Sequence, residues 1–384
     1  MRFEFATSTR IVFGPGTMEE VVPLVAEMGK RALVVVGRTL ERAAPLLERL
    51  NKGGIESVTY HVVGEPTITT AHAGVELARR SGCDSVVGIG GGSVLDTGKV
   101  VAALLTNRGE LMDYLEVIGR GQKLAERPAP YTAIPTTAGT GAEVTRNAVL
   151  TSPEERVKVS MRSPLMLPRL AVVDPALTCS MPPAVTASTG LDAFTQLMEA
   201  FVSIQANPLT DALCREGLRR AASSLQRAYE DGSNTGARED MSLASLFSGM
   251  ALANAKLGAV HGLAGPLGGL LGAPHGAICA RLLPYVMEAN VRCLQIRGSD
   301  SQGLARYREI ARILTGRDTA EVGEGVRWVK DLTVRLKVPG LSELGLREKD
   351  FPIVVERSQK ASSMRGNPLP LRDSELEEIL RRAL

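Results

Sequence analysis

Cysteine is scarce and scattered in this chain of 384 residues: five, at positions 83, 179, 214, 279 and 293, with no CxxC pair. That distribution argues against a disulfide framework and against a cysteine-based metal site, and it predicts free thiols in a reducing cytoplasm. Aromatic residues make up only 4% of the sequence, so no stacking platform for a sugar stands out. Charge of one sign is not in excess either: 45 Lys and Arg against 42 Asp and Glu leave a net charge of +3 and no long basic run, which excludes nucleic acid as a main partner. No uninterrupted apolar stretch reaches the ~18 residues of a membrane-spanning helix. The N-terminus "MRFEFATSTRIVFGPG" has neither an apolar core nor a small-residue cleavage site, so no secretory signal is expected.

What is present divides in two. The first half alternates short Val/Ile/Leu-rich runs with helical patterns. "RIVFG", "RALVVVG", "ESVTYHVV", "DSVVGIGGGS", "YTAIPT" and "RLAVVD" read as strands. "TMEEVVPLVAEMG", with Thr17 as N-cap and Glu20 in the capping-box position, reads as a helix, as do "TLERAAPLLERLNKGG" and "TTAHAGVELARRSG". Near-continuous apolar strands separated by helices predict a Rossmann-like parallel sheet covered on both faces. After about residue 180 helical periodicity takes over, in seven to nine segments by the spacing of its breaks. The chain is thus expected to hold an α/β nucleotide-binding domain over 1–180 and an all-helical metal and substrate domain over 181–384, with a ligand cleft between them.

"GIGGGSVLDTGK" ends a strand in three glycines, Gly90, Gly91 and Gly92, and opens a helix near Ser93. Backbone without Cβ atoms at a helix N-terminus suits a pyrophosphate. The spacing is neither the P-loop nor the regular dinucleotide fingerprint, and a purely steric turn reads the same way. "AIPTTAGTGAEVT" adds a second loop of small residues and hydroxyls, with Thr136, Thr137 and Thr140, at another strand's end. After the strand 31–37, Gly37 and Arg38 stand where many dinucleotide sites carry an acid for the ribose hydroxyls, which leaves room for a 2′-phosphate and leans the cofactor toward NADPH over NADH. An ordinary solvated arginine is the alternative.

Four histidines occur in all, and two of them, His261 and His275, lie in the glycine-rich stretch "VHGLAGPLGGLLGAPHG". In "GLDAFTQLMEA", Asp192 and Gln196 sit four apart on one helix face. One carboxylate and two imidazoles suit Fe²⁺ or Zn²⁺, although a lone buried histidine is more often a core residue than a ligand.

"GGGSVLDTGK", "PTTAGTGAEVT", "GLDAFTQLMEA" and "VHGLAGPLGGLLGAPHG", in this order, resemble the iron-containing (group III) alcohol dehydrogenase family over essentially the whole chain. The resemblance implies a dehydroquinate synthase-like architecture, a divalent metal, and NAD(P)-dependent exchange of hydride between a small alcohol and an aldehyde or ketone. It places Gly90, Gly91, Gly92, Ser93 and Asp96 in the pyrophosphate motif, with Lys99, and Thr136, Thr137 and Thr140 in the second cofactor loop. Lys158 matches a lysine near the nicotinamide ribose, and Asp192, His261 and His275 match three of four metal ligands. The fourth is a histidine in the family and Gln196 here, so the expected set is Asp192, Gln196, His261 and His275, with water as an alternative fourth ligand. Gly265 replaces a histidine near the reacting centre and removes a proton relay, leaving water or the cofactor ribose as proton source. Maleylacetate reductases carry asparagine at the position of Asp192 and histidine at that of Gln196, the reverse of this chain. A dehydroquinate-synthase-like lyase and a metal-free, catalytically weakened homologue are the other readings. A homodimer is expected.

Overall fold

The computed structural model describes residues 2–297 and 301–384. The chain separates into two compact units. One is Thr7–Ser180, and the other joins Met181–Leu384 to the residues before Thr7. Ala6 is held in the second unit by both arms of the Asn254 amide: Ala6 N donates to Oδ1 at 2.7 Å and Asn254 Nδ2 donates back to Ala6 O at 2.9 Å.

The first unit contains eight strands: β1 (Arg10–Phe13), β2 (Arg31–Val36), β3 (Glu56–His61), β4 (Ser85–Gly90), β5 (Tyr131–Pro135), β6 (Asn147–Ser152), β7 (Val157–Arg162) and β8 (Leu170–Val173). Its helices are α1 (Val21–Ala26), α2 (Ala44–Lys52), α3 (Ile68–Arg80), α4 (Gly92–Thr106) and α5 (Leu111–Tyr114). Six strands form one sheet in the order β1-β8-β5-β4-β2-β3, and every pairing in it is parallel. Strand β2 shows why its residues had to be uniformly apolar. Leu33 and Val35 face a cluster that contains Val75 of α3 and Val100 of α4, while Val34 and Val36 face Val25 of α1 and Leu46 of α2. Both faces are buried, so the period-2 alternation of a half-exposed strand is absent. The chain leaves β2 outward to β3, then crosses back to β4 and proceeds the other way. The carboxyl ends of β2 and β4 therefore flank the switch point, where open α/β sheets bind ligands.

One local expectation is corrected, and one element lies outside the six strands expected. Thr17 is not an N-cap: the turn starts as a 3-10 helix from Gly16, whose φ of 81° is left-handed, and no side chain caps it. Thr17 Oγ1 instead donates to Gly14 O at 2.9 Å. The antiparallel hairpin β6–β7, paired from Asn147 with Arg162 to Ser152 with Val157, was not read as strand at all.

The second unit holds nine α-helices among the described residues: α6 (Pro183–Val202), α7 (Pro208–Glu230), α8 (Thr235–Ala255), α9 (Ala259–Leu271), α10 (His275–Arg297), α11 (Ser301–Thr315), α12 (Val322–Arg335), α13 (Phe351–Lys360) and α14 (Asp373–Ala383). Helix α6 is the hub. Fifteen of its twenty residues are buried, and it packs on α7, α8 and α10. A helix buried on every side must place any polar residue it carries against a partner. No single helix among the described residues is long and apolar enough to cross a membrane. All five cysteines are free.

Buried charge in the first unit is neutralised locally. Lys99, with its side chain fully covered, donates to Asp96 Oδ1 at 3.0 Å, Thr145 Oγ1 at 2.8 Å and Asn147 O at 2.7 Å. Glu143, 2% exposed, has its carboxyl pushed up to about 7 by burial, with Lys99 pulling weakly the other way. Between the unfolded value of 4.5 and about 7 the folded state keeps a proton that the unfolded chain has lost, so this group's contribution is full below pH 4.5 and fades as pH rises to about 7. The stability difference between wild type and Glu143→Gln should therefore shift against the wild type by about 3 kcal/mol from pH 4.5 to 7.5. Urea unfolding at the two pH values measures it, and a pH-independent difference contradicts a buried, protonated Glu143.

Candidate functional site

Two sets of residues, one in each unit, carry chemistry. In the first unit, β4 ends at Gly90 and α4 begins at Gly92, with Gly91 as N-cap. Val94 N and Leu95 N return to Gly91 O at 3.0 and 3.1 Å, so the amides of Gly92 and Ser93 come first in the turn and lack carbonyls of their own helix. The loop after β5 lies against this turn. Thr136 N donates to Gly90 O at 2.9 Å, and a Cβ on Gly92 would stand 2.9 Å from the Thr140 methyl. Glycine is required there for the two loops to approach, and the result is a small backbone-lined cradle with hydroxyls at its rim.

The other residues singled out around that cradle have distinct placements. Gly37 follows β2, and its carbonyl meets His61 Nδ1 at 3.2 Å. Arg38 beside it is exposed. Asp96 faces inward: one carboxylate oxygen holds Lys99 and the other accepts from Val149 N at 2.9 Å, which ties α4 to the β6–β7 hairpin. Lys158 on β7 is paired with Glu65 at 2.6 Å. Asp96 and Lys158 thus both have partners within the protein.

The second unit holds the denser cluster. Asp192 lies mid-way along α6 and is 2% exposed. His261 is in the first turn of α9, and His275 is the first residue of α10. Three local devices bring them together. Gly276 lets α10 touch α6: a Cβ there would stand 2.4 Å from the carbonyl oxygen of Ser188, one turn before Asp192. Glu199, two turns beyond Asp192 on the same buried face, reaches the start of α9, where its Oε1 accepts from Val260 N at 2.6 Å. Its Oε2 meets His261 Nδ1 at 2.7 Å. A carboxylate on Nδ1 fixes the Nδ1–H tautomer and leaves the Nε2 lone pair facing away from it.

Nε2 faces Asp192, lying 3.3 Å from its Oδ1. Oδ1 is buried with no hydrogen-bond partner of acceptable geometry among the described residues. The thiol of Cys279 completes the group, 3.8 Å from His261 Nε2 and 3.6 Å from His275 Nε2. One donor atom from each of Asp192, His261, His275 and Cys279 lies within 4.8 Å of the others. This corrects the exclusion of cysteine drawn from the sequence. The lack of CxxC pairs does not bear on Cys279, which meets His275 as an i, i+4 partner on one helix face. Gln196, also buried, is hydrogen-bonded to Ser248 Oγ through its Oε1 at 2.9 Å.

The electrostatics is that of a site made for positive charge. Burial would raise the Asp192 carboxyl, but His261 and His275 beside it outweigh that and hold it below its ordinary value. Burial likewise opposes a charged His261, yet Cys279, Asp192 and Glu199 together push its pKa well above that of a free imidazole. A divalent cation fits this donor set: an orphaned buried carboxylate oxygen, two imidazole nitrogens and a thiol, with one ring already oriented from behind. On α9 one turn after His261, Gly265 has no atom within 4 Å of where a Cβ would stand.

The sequence profile of the iron-containing alcohol dehydrogenases matches residues 8–175, and that of the family's C-terminal domain matches residues 186–384. The chain belongs to the iron-containing alcohol dehydrogenase family, a class of oxidoreductases. Alcohol dehydrogenase 4 of Saccharomyces cerevisiae (strain YJM789) is 35% identical over 97% of this chain and 96% of its own length. The crystal structure of a 1,3-propanediol oxidoreductase superposes with a TM-score of 0.93 at 34% identity, covering all of both chains. A sulfoacetaldehyde reductase from Bifidobacterium kashiwanohense, solved in complex with NAD⁺, superposes with a TM-score of 0.87 at 29% identity, over 100% of this chain and 99% of that one. The three names span an unspecified alcohol, a diol and a sulfonated aldehyde, so family membership does not fix a substrate.

Glu199 escaped the sequence reading because its partners are 61 and 62 residues away. Replacing it by Gln keeps the shape and removes the charge that holds the Nδ1–H tautomer. Glu199→Gln should weaken divalent-cation binding by about 10–100-fold, measured by competition against a chromophoric chelator. Unchanged affinity would show that the carboxylate serves only to cap α9.

Proposed function

We propose that this protein interconverts a small alcohol and its aldehyde or ketone, with a nicotinamide dinucleotide as hydride carrier and a divalent cation, iron or zinc, held by Asp192, His261 and His275. The observation that carries the reading is the convergence of these three side chains around an unpartnered, buried carboxylate oxygen. When bound there, the cation supplies Lewis-acid polarisation of the substrate oxygen, and the dinucleotide supplies or accepts the hydride.

The chain's own residues do the rest. Gly92 and Ser93 offer their amides, at the positive end of the fifteen-residue helix α4, to a pyrophosphate. Thr136, Thr137 and Thr140 line the same crevice with hydroxyls. Asp96 and Lys99 hold the hairpin against α4 and thereby keep the cradle in shape. Glu199 holds His261 through Nδ1 and so keeps Nε2 aimed at Asp192. Gly265 offers no side chain for proton transfer, so the proton of the alcohol passes by water or by a cofactor hydroxyl.

The lean toward NADPH rests on Gly37 and Arg38. A side chain at Gly37 would have room, its nearest neighbour being Val94 Cγ2 at 3.9 Å, so an acid was sterically possible and the sequence has none. The exposed Arg38 guanidinium is then the group to meet a 2′-phosphate.

Two outcomes test this. Chelation and Asp192→Ala should each lower kcat/KM for aldehyde reduction by about 100-fold or more, the scale of several kcal/mol of lost charge stabilisation. Full activity in both sinks the cation's role. For the cofactor, kcat/KM should be several-fold higher with NADPH than with NADH, and Arg38→Ala should bring the two within about twofold. A wild-type preference for NADH refutes the lean.

A further inference from the structure

We infer that Cys279 is the fourth protein ligand of the cation site, so that this chain binds its metal through one carboxylate, two imidazoles and one thiolate, with Gln196 outside the coordination shell. The inference rests on the proposal that Asp192, His261 and His275 hold a cation, and it deepens that reading.

Three observations support it. The first is metric. Around a tetrahedral ion with bonds of about 2.05 Å to N or O and about 2.3 Å to S, neighbouring donors stand roughly 3.3 Å apart for N and O and roughly 3.6 Å apart for N and S. Asp192 Oδ1 to His261 Nε2 is 3.3 Å, and Cys279 Sγ is 3.6 and 3.8 Å from the two Nε2 atoms. These three of the six donor–donor separations are close to tetrahedral edges, and all four donor atoms lie within 4.8 Å of one another. The second is directional. Asp192 Oδ1, with no well-formed hydrogen bond among the described residues, faces His261 Nε2, the ring nitrogen opposite the one held by Glu199. The third concerns the competitor. The Gln196 carbonyl oxygen lies 2.9 Å from Ser248 Oγ, on another helix, and it is a neutral, weaker donor than a thiolate for a divalent cation.

The exchange balances simply. Binding replaces the thiol proton of Cys279 and the proton on His261 Nε2 with bonds to the metal, both protons leave to solvent, and no redox change occurs.

Cobalt(II) tests this without reference to turnover. Titrated into the metal-stripped full-length protein, it should saturate at one equivalent and develop a near-ultraviolet thiolate-to-cobalt charge-transfer band together with intense visible bands of tetrahedral geometry. Cys279→Ser should abolish the charge-transfer band and weaken cobalt binding by about tenfold or more, while Gln196→Ala should keep the band and bind within about threefold of wild type. The wild-type spectrum needs no variant to fold. Stoichiometric cobalt binding with no charge-transfer band overturns the thiolate ligand and leaves the Asp–His–His reading standing. A wild-type protein that binds no cobalt overturns both.

Discussion

The Glu199 carboxylate is the contact on which the second unit's chemistry depends. One oxygen closes the first turn of α9 and the other holds the His261 ring. Helix capping and ligand orientation are thus a single interaction: wherever α9 starts, His261 is aimed. Asp192 and Glu199 are seven residues apart on α6, which puts them on the same face two turns apart. The spacing of the two carboxylates along α6 is therefore set by helix geometry. Gly276 adds the third constraint by letting α10 approach the α6 backbone, so that His275 and Cys279 arrive together. The donors meet because three helices pack, and each helix packs through residues next to its own donor.

The two units treat buried charge in opposite ways. In the first, Lys99 is given an anion and two neutral acceptors, and Glu143 is protonated up to about pH 7. The net effect near the cradle is close to neutrality, which leaves the α4 dipole and its free amides as the dominant local field for an anion. In the second, Asp192 and Glu199 are both buried, with imidazoles as their nearest partners, and nearby positive charge is favoured strongly enough to push His261 toward protonation. One unit is tuned for a polyanion and the other for a cation.

Much of this was visible in the sequence, and what was not has definite causes. The six sheet strands could be read because burial on both faces demands unbroken apolar runs. The β6–β7 hairpin carries a weaker signal: "VKVSMR" alternates apolar and polar residues as a half-buried strand does, whereas "NAVLTS" has no such alternation. Thr17 satisfied a capping pattern, but Gly16 in the left-handed region starts the turn in a different geometry. Glu199 was unreadable because its work is done across the packing of two helices. Cys279 is legible by its spacing from His275. A histidine at a helix start with a thiol one turn later is a same-face pair by helical periodicity alone, and a search for paired cysteines does not find it.

The two departures at the cation site belong together. Helix α6 offers an i, i+4 pair, Asp192 with Gln196, and α10 offers another, His275 with Cys279. A fourth donor can come from either helix. Where α6 carries a strong donor in its second position, α10 needs none. Here α6 carries a neutral amide bound to Ser248, and α10 carries sulfur within tetrahedral reach of both imidazoles. Moving the fourth donor from one helix to the other keeps the coordination number and adds one negative charge to the shell. A thiolate also donates more electron density than an imidazole does, so the ion it holds is a weaker Lewis acid and a tighter guest. The trade is between retention of the metal and its power to polarise a carbonyl. Gly265 shifts the balance in the same direction, since it removes a side chain that could have supplied the proton. Under the proposed ligation, the chemistry would lean more on the placement of the hydride carrier and less on activation of the substrate oxygen.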